Sequence, residues 1–185
     1  MRIHAVPAVV VASLAAAPAV GAPVATGAKT DAESITSAES AAPAAISKDA
    51  TIVSFDAEGH MRTLREGHNG FTCLPDVPET PGPDPMCADA AWQQWMKAWM
   101  AHEPPPDGLT GVGYMLAGGS DPDNLDPFAM TPPSGRDWVT TGPHLMLLEV
   151  GADLSAFPSG PHPDTTKPYV MYPGTPYAHI MAPVQ

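Results

Sequence analysis

The 185 residues carry 20 Asp and Glu against 8 Lys and Arg, a formal charge of −12. That balance excludes nucleic acid and anionic membrane surfaces as partners, because phosphate contacts need clustered Lys and Arg. It suits cationic ligands, metal ions or plain solubility. With 24 Pro and 16 Gly the chain turns often, and long helices are not expected outside one segment.

The chain opens with Arg2 and an uncharged, Ala-, Val- and Leu-rich run from Val6 to Val20. Ala19-Val20-Gly21-Ala22 then supplies the small residues a signal peptidase requires. Residues 1–22 therefore read as a secretory signal. The run is too short to span a bilayer and contains Pro7 and Pro18. No Cys stands at the cleavage site, so no membrane anchor is expected. The mature chain should begin near Pro23 as a soluble secreted or periplasmic protein. Residues 23–45 are small and polar with one Ile and no aromatic residue. Such a segment buries too little apolar surface to offset its ordering entropy, so a disordered low-complexity lead is expected. A helix from Asp31 to Ala42 would have almost no apolar face.

A single globular domain is expected over residues 46–185. Ala50 to Phe55 is rich in β-branched residues and reads as a first strand. Glu58-Gly59 reads as a turn, and Met61 to Glu66 as a weak strand. Phe71 to Leu74 is a further apolar run, and Asn69-Gly70 before it suggests a hairpin over residues 62–74. Cys73 and Cys87 enclose a Pro-rich acidic loop. In an oxidising compartment this pair reads as a disulfide, with a chain-entropy contribution of about 3 kcal/mol. A thiolate metal site would need further ligands nearby.

Asp89 to His102 is the one strong helix. Asp89 can cap it, and Trp92, Trp95, Met96, Trp99 and Met100 fall at i, i+3, i+4, i+7 and i+8 as one apolar stripe. Pro104-Pro105-Pro106 ends it. The stripe suits a helix packed on a sheet better than an aromatic ligand platform. Short extended runs follow at Thr110 to Leu116, Asp137 to Thr141, His144 to Val150, Tyr169 to Tyr172 and Tyr177 to Ala182. One helix with many short strands implies an α+β fold with a mainly antiparallel sheet.

Two stretches carry a family resemblance: LREGHNGFTCLPDVPETPGPDPMCADAAWQQWMKAWM from Leu64 to Met100, and GPHLMLLEV with KPYVMYPGTPYAHIMAP between Gly142 and Pro183. They resemble a family of small exported bacterial proteins of uncharacterised function. The resemblance implies one secreted domain and brings no activity or catalytic residue with it.

No G-x-S-x-G, H-E-x-x-H, phosphate-binding Gly loop or C-x-x-C occurs in the chain. Ser120 to Pro127 packs three Asp and an Asn into one turn. The spacing is not that of an EF-hand, so turn formation explains it better than calcium. The more unusual pattern is His-x-Met, present as His144-Leu145-Met146 and His179-Ile180-Met181. On a strand, i and i+2 share a face, so each pair presents an imidazole beside a thioether. Were the strands neighbours, His144, Met146, His179 and Met181 would form a soft-metal site suited to copper as Cu(I), or to Ag(I). Met as a core gap-filler and His at a strand edge is the ordinary reading of the same residues. Two classes therefore stay open: a non-enzymatic module binding a small ligand or soft metal, and a small secreted hydrolase with an unrecognised site.

Overall fold

The structure is a computed structural model describing residues 29–56, 58–76 and 78–184, so the signal segment 1–22 lies outside the described residues. The chain runs through α1 (Asp31–Glu39), α2 (Ala44–Ser47), β1 (Thr51–Phe55), β2 (Met61–Arg65), β3 (Thr72–Leu74), β4 (Met86–Ala88), α3 (Ala90–Met100), β5 (Thr110–Met115), β6 (Gly119–Asp121), β7 (Val139–Thr141), β8 (His144–Glu149), β9 (Tyr169–Met171) and β10 (His179–Pro183). Eight strands form one sheet in the order β2-β1-β3-β4-β5-β8-β10-β9, and β6 pairs with β7. Every pairing in the large sheet is antiparallel except β1 with β3. The fold is α+β, with a disulfide joining Cys73 and Cys87, which stand directly opposite each other on β3 and β4.

The expected disorder of the lead does not hold over residues 30–45. Thr30 and Glu33 form a reciprocal cap: the Thr30 hydroxyl accepts from the Glu33 amide and the Glu33 carboxylate accepts from the Thr30 amide. Ala38 and Ala41 are wholly buried in a cluster with Ile52 and the disulfide. Arg62 and Arg65 on β2 pair with Asp31 and Glu39. The segment has no core of its own, but its alanines let the helix approach a sheet face that supplies one. Residues 23–28 lie outside the described set.

The hairpin expected over residues 62–74 is also corrected. β2 pairs with β1 across the Asp56–His60 turn, and β3 joins the other edge of β1 in parallel. Asn69-Gly70 therefore bends a crossover rather than a hairpin. Gly67 lets that crossover lie against the start of β1, where a Cβ would stand 2.2 Å from the Ala50 carbonyl carbon and the Thr51 nitrogen. β1, flanked by β2 and β3, buries Ile52 and Val53.

α3 packs across β4 and β5 as its stripe requires. The Asp89 carboxylate accepts from the Trp92 amide at 3.0 Å and from the Val112 amide of β5 at 2.7 Å, capping the helix and tying it to the sheet at once. Trp92 and Trp95 are buried, with Met96 and Trp99 packed beside them. Met100 departs from the expected stripe and is 57% exposed. At 100° per residue it lies about 80° round from Trp92 and in the last helical position, beyond the sheet.

Candidate functional site

β8 and β10 are neighbours, although the two His-x-Met pairs lie far apart in sequence, His144 to Met146 and His179 to Met181. In their antiparallel register Met146 stands directly opposite Met181. Directly opposed residues share a face, so both thioethers point beneath α3. His179 lies one alternate position along β10 and stands opposite Met171 of β9. His144 lies one alternate position the other way along β8 and stands opposite Pro183. The two imidazoles thus flank the methionine pair at opposite ends.

Under α3 lies a cavity of about 180 Å³. Met146, Met181, Met171 and His179 line it from the sheet, with Met86 at the β4 edge and Asp121 and Tyr172 at a polar end. Trp92, Trp95, Met96 and Trp99 line it from the helix. Gly113 on β5 makes the space for Met146: a Cβ there would stand 2.6 Å from the Met146 methyl. His144 is buried nearby but does not line the cavity.

Both motifs hold their imidazole the same way. His144 Nδ1 lies 2.7 Å from the Gly142 carbonyl oxygen, and His179 Nδ1 lies 3.0 Å from that of Tyr177. A carbonyl only accepts, so Nδ1 carries the proton in each neutral ring and Nε2 keeps its lone pair. This is how metal-binding imidazoles are oriented by their outer partners. Burial lowers the pKa of His144, and the bond to Gly142 opposes this only in part. Burial pulls His179 down to about 4, with nearby His144 adding to the shift. Both rings are therefore neutral at pH 7. Trp92, Trp95 and Tyr172 surround the His179 ring edge-on, at 5.0, 5.5 and 5.7 Å between centroids.

The polar end has its own chemistry. Burial raises the Asp121 carboxyl to about 7, helped by the charge of Asp84 and opposed by a hydrogen bond from the Tyr172 hydroxyl. Tyr172 is held there by a left-handed backbone, φ 55°. Its own hydroxyl is pushed well above 10, chiefly by burial and then by Asp121.

The other acidic side chains of the 120–127 turn go elsewhere. Asp123 forms a bidentate pair with Arg136, both contacts at 2.8 Å, and Asp126 accepts from the Phe128 amide. Asn124 donates to the carbonyls of Gly160 and Val170. The segment serves as a turn and a brace, not as a shell of oxygen ligands. Among the described residues no three His, Cys, Asp or Glu side chains are grouped to hold a metal ion. The soft ligands the cavity offers are thioethers and one imidazole, with the Asp121 carboxyl at its polar end. A hydrolase would need a nucleophile bonded to a His, whereas the hydrogen bonds of the two buried imidazoles run to backbone carbonyls.

Sequence reasoning missed Met171 and Tyr172, and read Asp121 only as part of an acidic turn. Met171 falls in an expected strand, but only the β9–β10 pairing sets it against His179. No helix among the described residues is long and apolar enough to cross a membrane. No family model, curated protein or solved structure matches the chain.

Proposed function

We propose that this protein is an exported, non-enzymatic module that binds a soft univalent metal ion, Cu(I) or its analogue Ag(I), in the cavity beneath α3. The observation that carries this reading is the opposition of Met146 to Met181 beside the opposition of His179 to Met171, with all four side chains lining one cavity. Thioether and imidazole ligands match a soft ion in chemistry. The thioether and imidazole ligands are neutral and the walls largely apolar apart from Asp121 and Tyr172, so a single positive charge is admitted at a lower desolvation cost than a double one. His179 needs no deprotonation at neutral pH to coordinate, because burial already keeps it neutral. The tryptophan rings that line the cavity shield the ion from water. The signal-like leader and the disulfide support an exported setting, where cysteine-free coordination avoids competing oxidation.

The test is a Cu(I) titration of the disulfide-intact protein, under exclusion of oxygen and against a competing chelator, repeated with Met146→Leu and Met181→Leu together. Leu keeps the apolar volume and removes both sulfurs. Affinity should fall by more than about 100-fold, beyond the loss of an outer-shell partner alone. Equal affinity in the two proteins would overturn the reading.

A further inference from the structure

His144 does not line the cavity, yet it carries a feature that calls for an explanation of its own. The side chain is wholly buried, and its Nε2 has no hydrogen-bond partner. Buried polar atoms are nearly always paired, because the lost hydration is otherwise uncompensated. The pinned Nδ1 makes Nε2 a lone-pair atom, so what it lacks is a donor or a Lewis acid. Its neighbour across the strand pair is a soft base: Met115 of β5 stands directly opposite His144.

The side chains of the two residues converge on one spot. A Cβ placed on Gly119 would lie 3.3 Å from His144 Cε1, the ring carbon between Nδ1 and Nε2. It would lie 3.4 Å from the Met115 sulfur and 2.7 Å from the Met115 methyl. The bare glycine of β6 thus faces both the imidazole edge and the thioether. Met86 continues the same row on β4, one register step past the Cys87–Tyr114 pair. The Met146–Met181 row lies between this group and His179.

We propose that His144 and Met115 form a second soft-metal station, so that the sheet face holds two univalent ions, one on each side of the Met146–Met181 pair. The proposal rests on the soft-metal reading of the cavity and extends it to stoichiometry. An imidazole nitrogen and a thioether suffice for Cu(I) or Ag(I), which accept low coordination numbers with soft ligands. Met86 is placed to supply a third ligand.

The probe is Cu(I), titrated against a competing chelator into the disulfide-intact protein, with bound copper counted per chain. The wild-type protein should hold two equivalents. Met115→Leu should hold one, with the affinity of the remaining equivalent unchanged. Met171→Leu with Met181→Leu should also hold one, and that one should be lost when Met115→Leu is added. A wild-type stoichiometry of one that is insensitive to Met115→Leu but abolished by the Met171/Met181 change would overturn the second station and leave the cavity site standing. Absence of any retained copper would overturn both. Should Met115→Leu fail to fold, histidine nitrogen resonances of the wild-type protein during Ag(I) addition decide the matter. The His144 Nε2 signal should move away from its lone-pair position as the second equivalent binds, and a signal that stays in place would overturn the proposal.

Discussion

Asp121→Asn should make the protein more stable at pH 8 and leave its stability at pH 4 almost unchanged. The carboxyl is raised from 3.8 to about 7 in the fold, chiefly by burial. Below about pH 4 it is protonated in both the folded and unfolded states, so it contributes no difference. Between pH 4 and 7 the unfolded chain releases the proton while the folded chain keeps it. The unfolded state is therefore favoured increasingly as pH rises, and the full cost is present above pH 7. Three pKa units correspond to a ceiling of about 4 kcal/mol. Asp121 is only half-buried, and solvent screening brings the expected gain for Asn to on the order of 2 kcal/mol. Asn keeps the shape and an acceptor for the Tyr172 hydroxyl. Urea unfolding of both proteins, disulfide intact, at pH 4 and pH 8 measures this. The remaining ionisable groups are common to both proteins and largely cancel in the difference. A stability change equal at the two pH values, or a larger loss at pH 8, would refute the buried-carboxyl account.

Three further outcomes follow from the packing. His179 is held at about 4 against 6.5 when unfolded, so the unfolded state binds the extra proton between those values and stability should rise with pH across that window. His179→Gln should flatten that rise in acid unfolding curves. Trp95→Ala removes a buried ring and should cost about 3–5 kcal/mol, whereas exposed Lys97→Ala should change stability by less than about 0.5 kcal/mol. Comparable losses in urea unfolding would contradict the assigned helix faces. Ala38→Glu would bury a charge in the cluster around the disulfide and should cost on the order of 3 kcal/mol or more. Ala45→Glu, at an exposed position, is the control, and equal effects would mean that α1 is not docked.

What could be read from the sequence was what the chain settles locally. The α3 stripe and its Asp89 cap depend on residues within two turns, and both are present. Two cysteines leave one intramolecular pairing, and it forms. Period two alone put the His and Met of each motif on one face. Pairing between distant strands was not legible. Asn69-Gly70 looks like a hairpin turn because nothing nearby reveals that β1 takes β3 as a parallel neighbour. Met171 and Met115 gain their meaning only from β9–β10 and β5–β8 register. The lead misled for a related reason: a helix of small residues has no visible apolar face, yet Ser34 and Ala38 are what let it lie close on a sheet. Asp121 resembles its turn-forming neighbours in sequence, and only burial beside Tyr172 distinguishes it.

X-ray absorption at the copper edge of the Cu(I)-loaded protein tests the central proposal most directly. The account predicts a coordination shell of thioether sulfur with imidazole nitrogen, and a clear fall in sulfur per copper when Met146 and Met181 are both changed to Leu. A shell made only of nitrogen and oxygen, or a sulfur signal untouched by that double change, would contradict it.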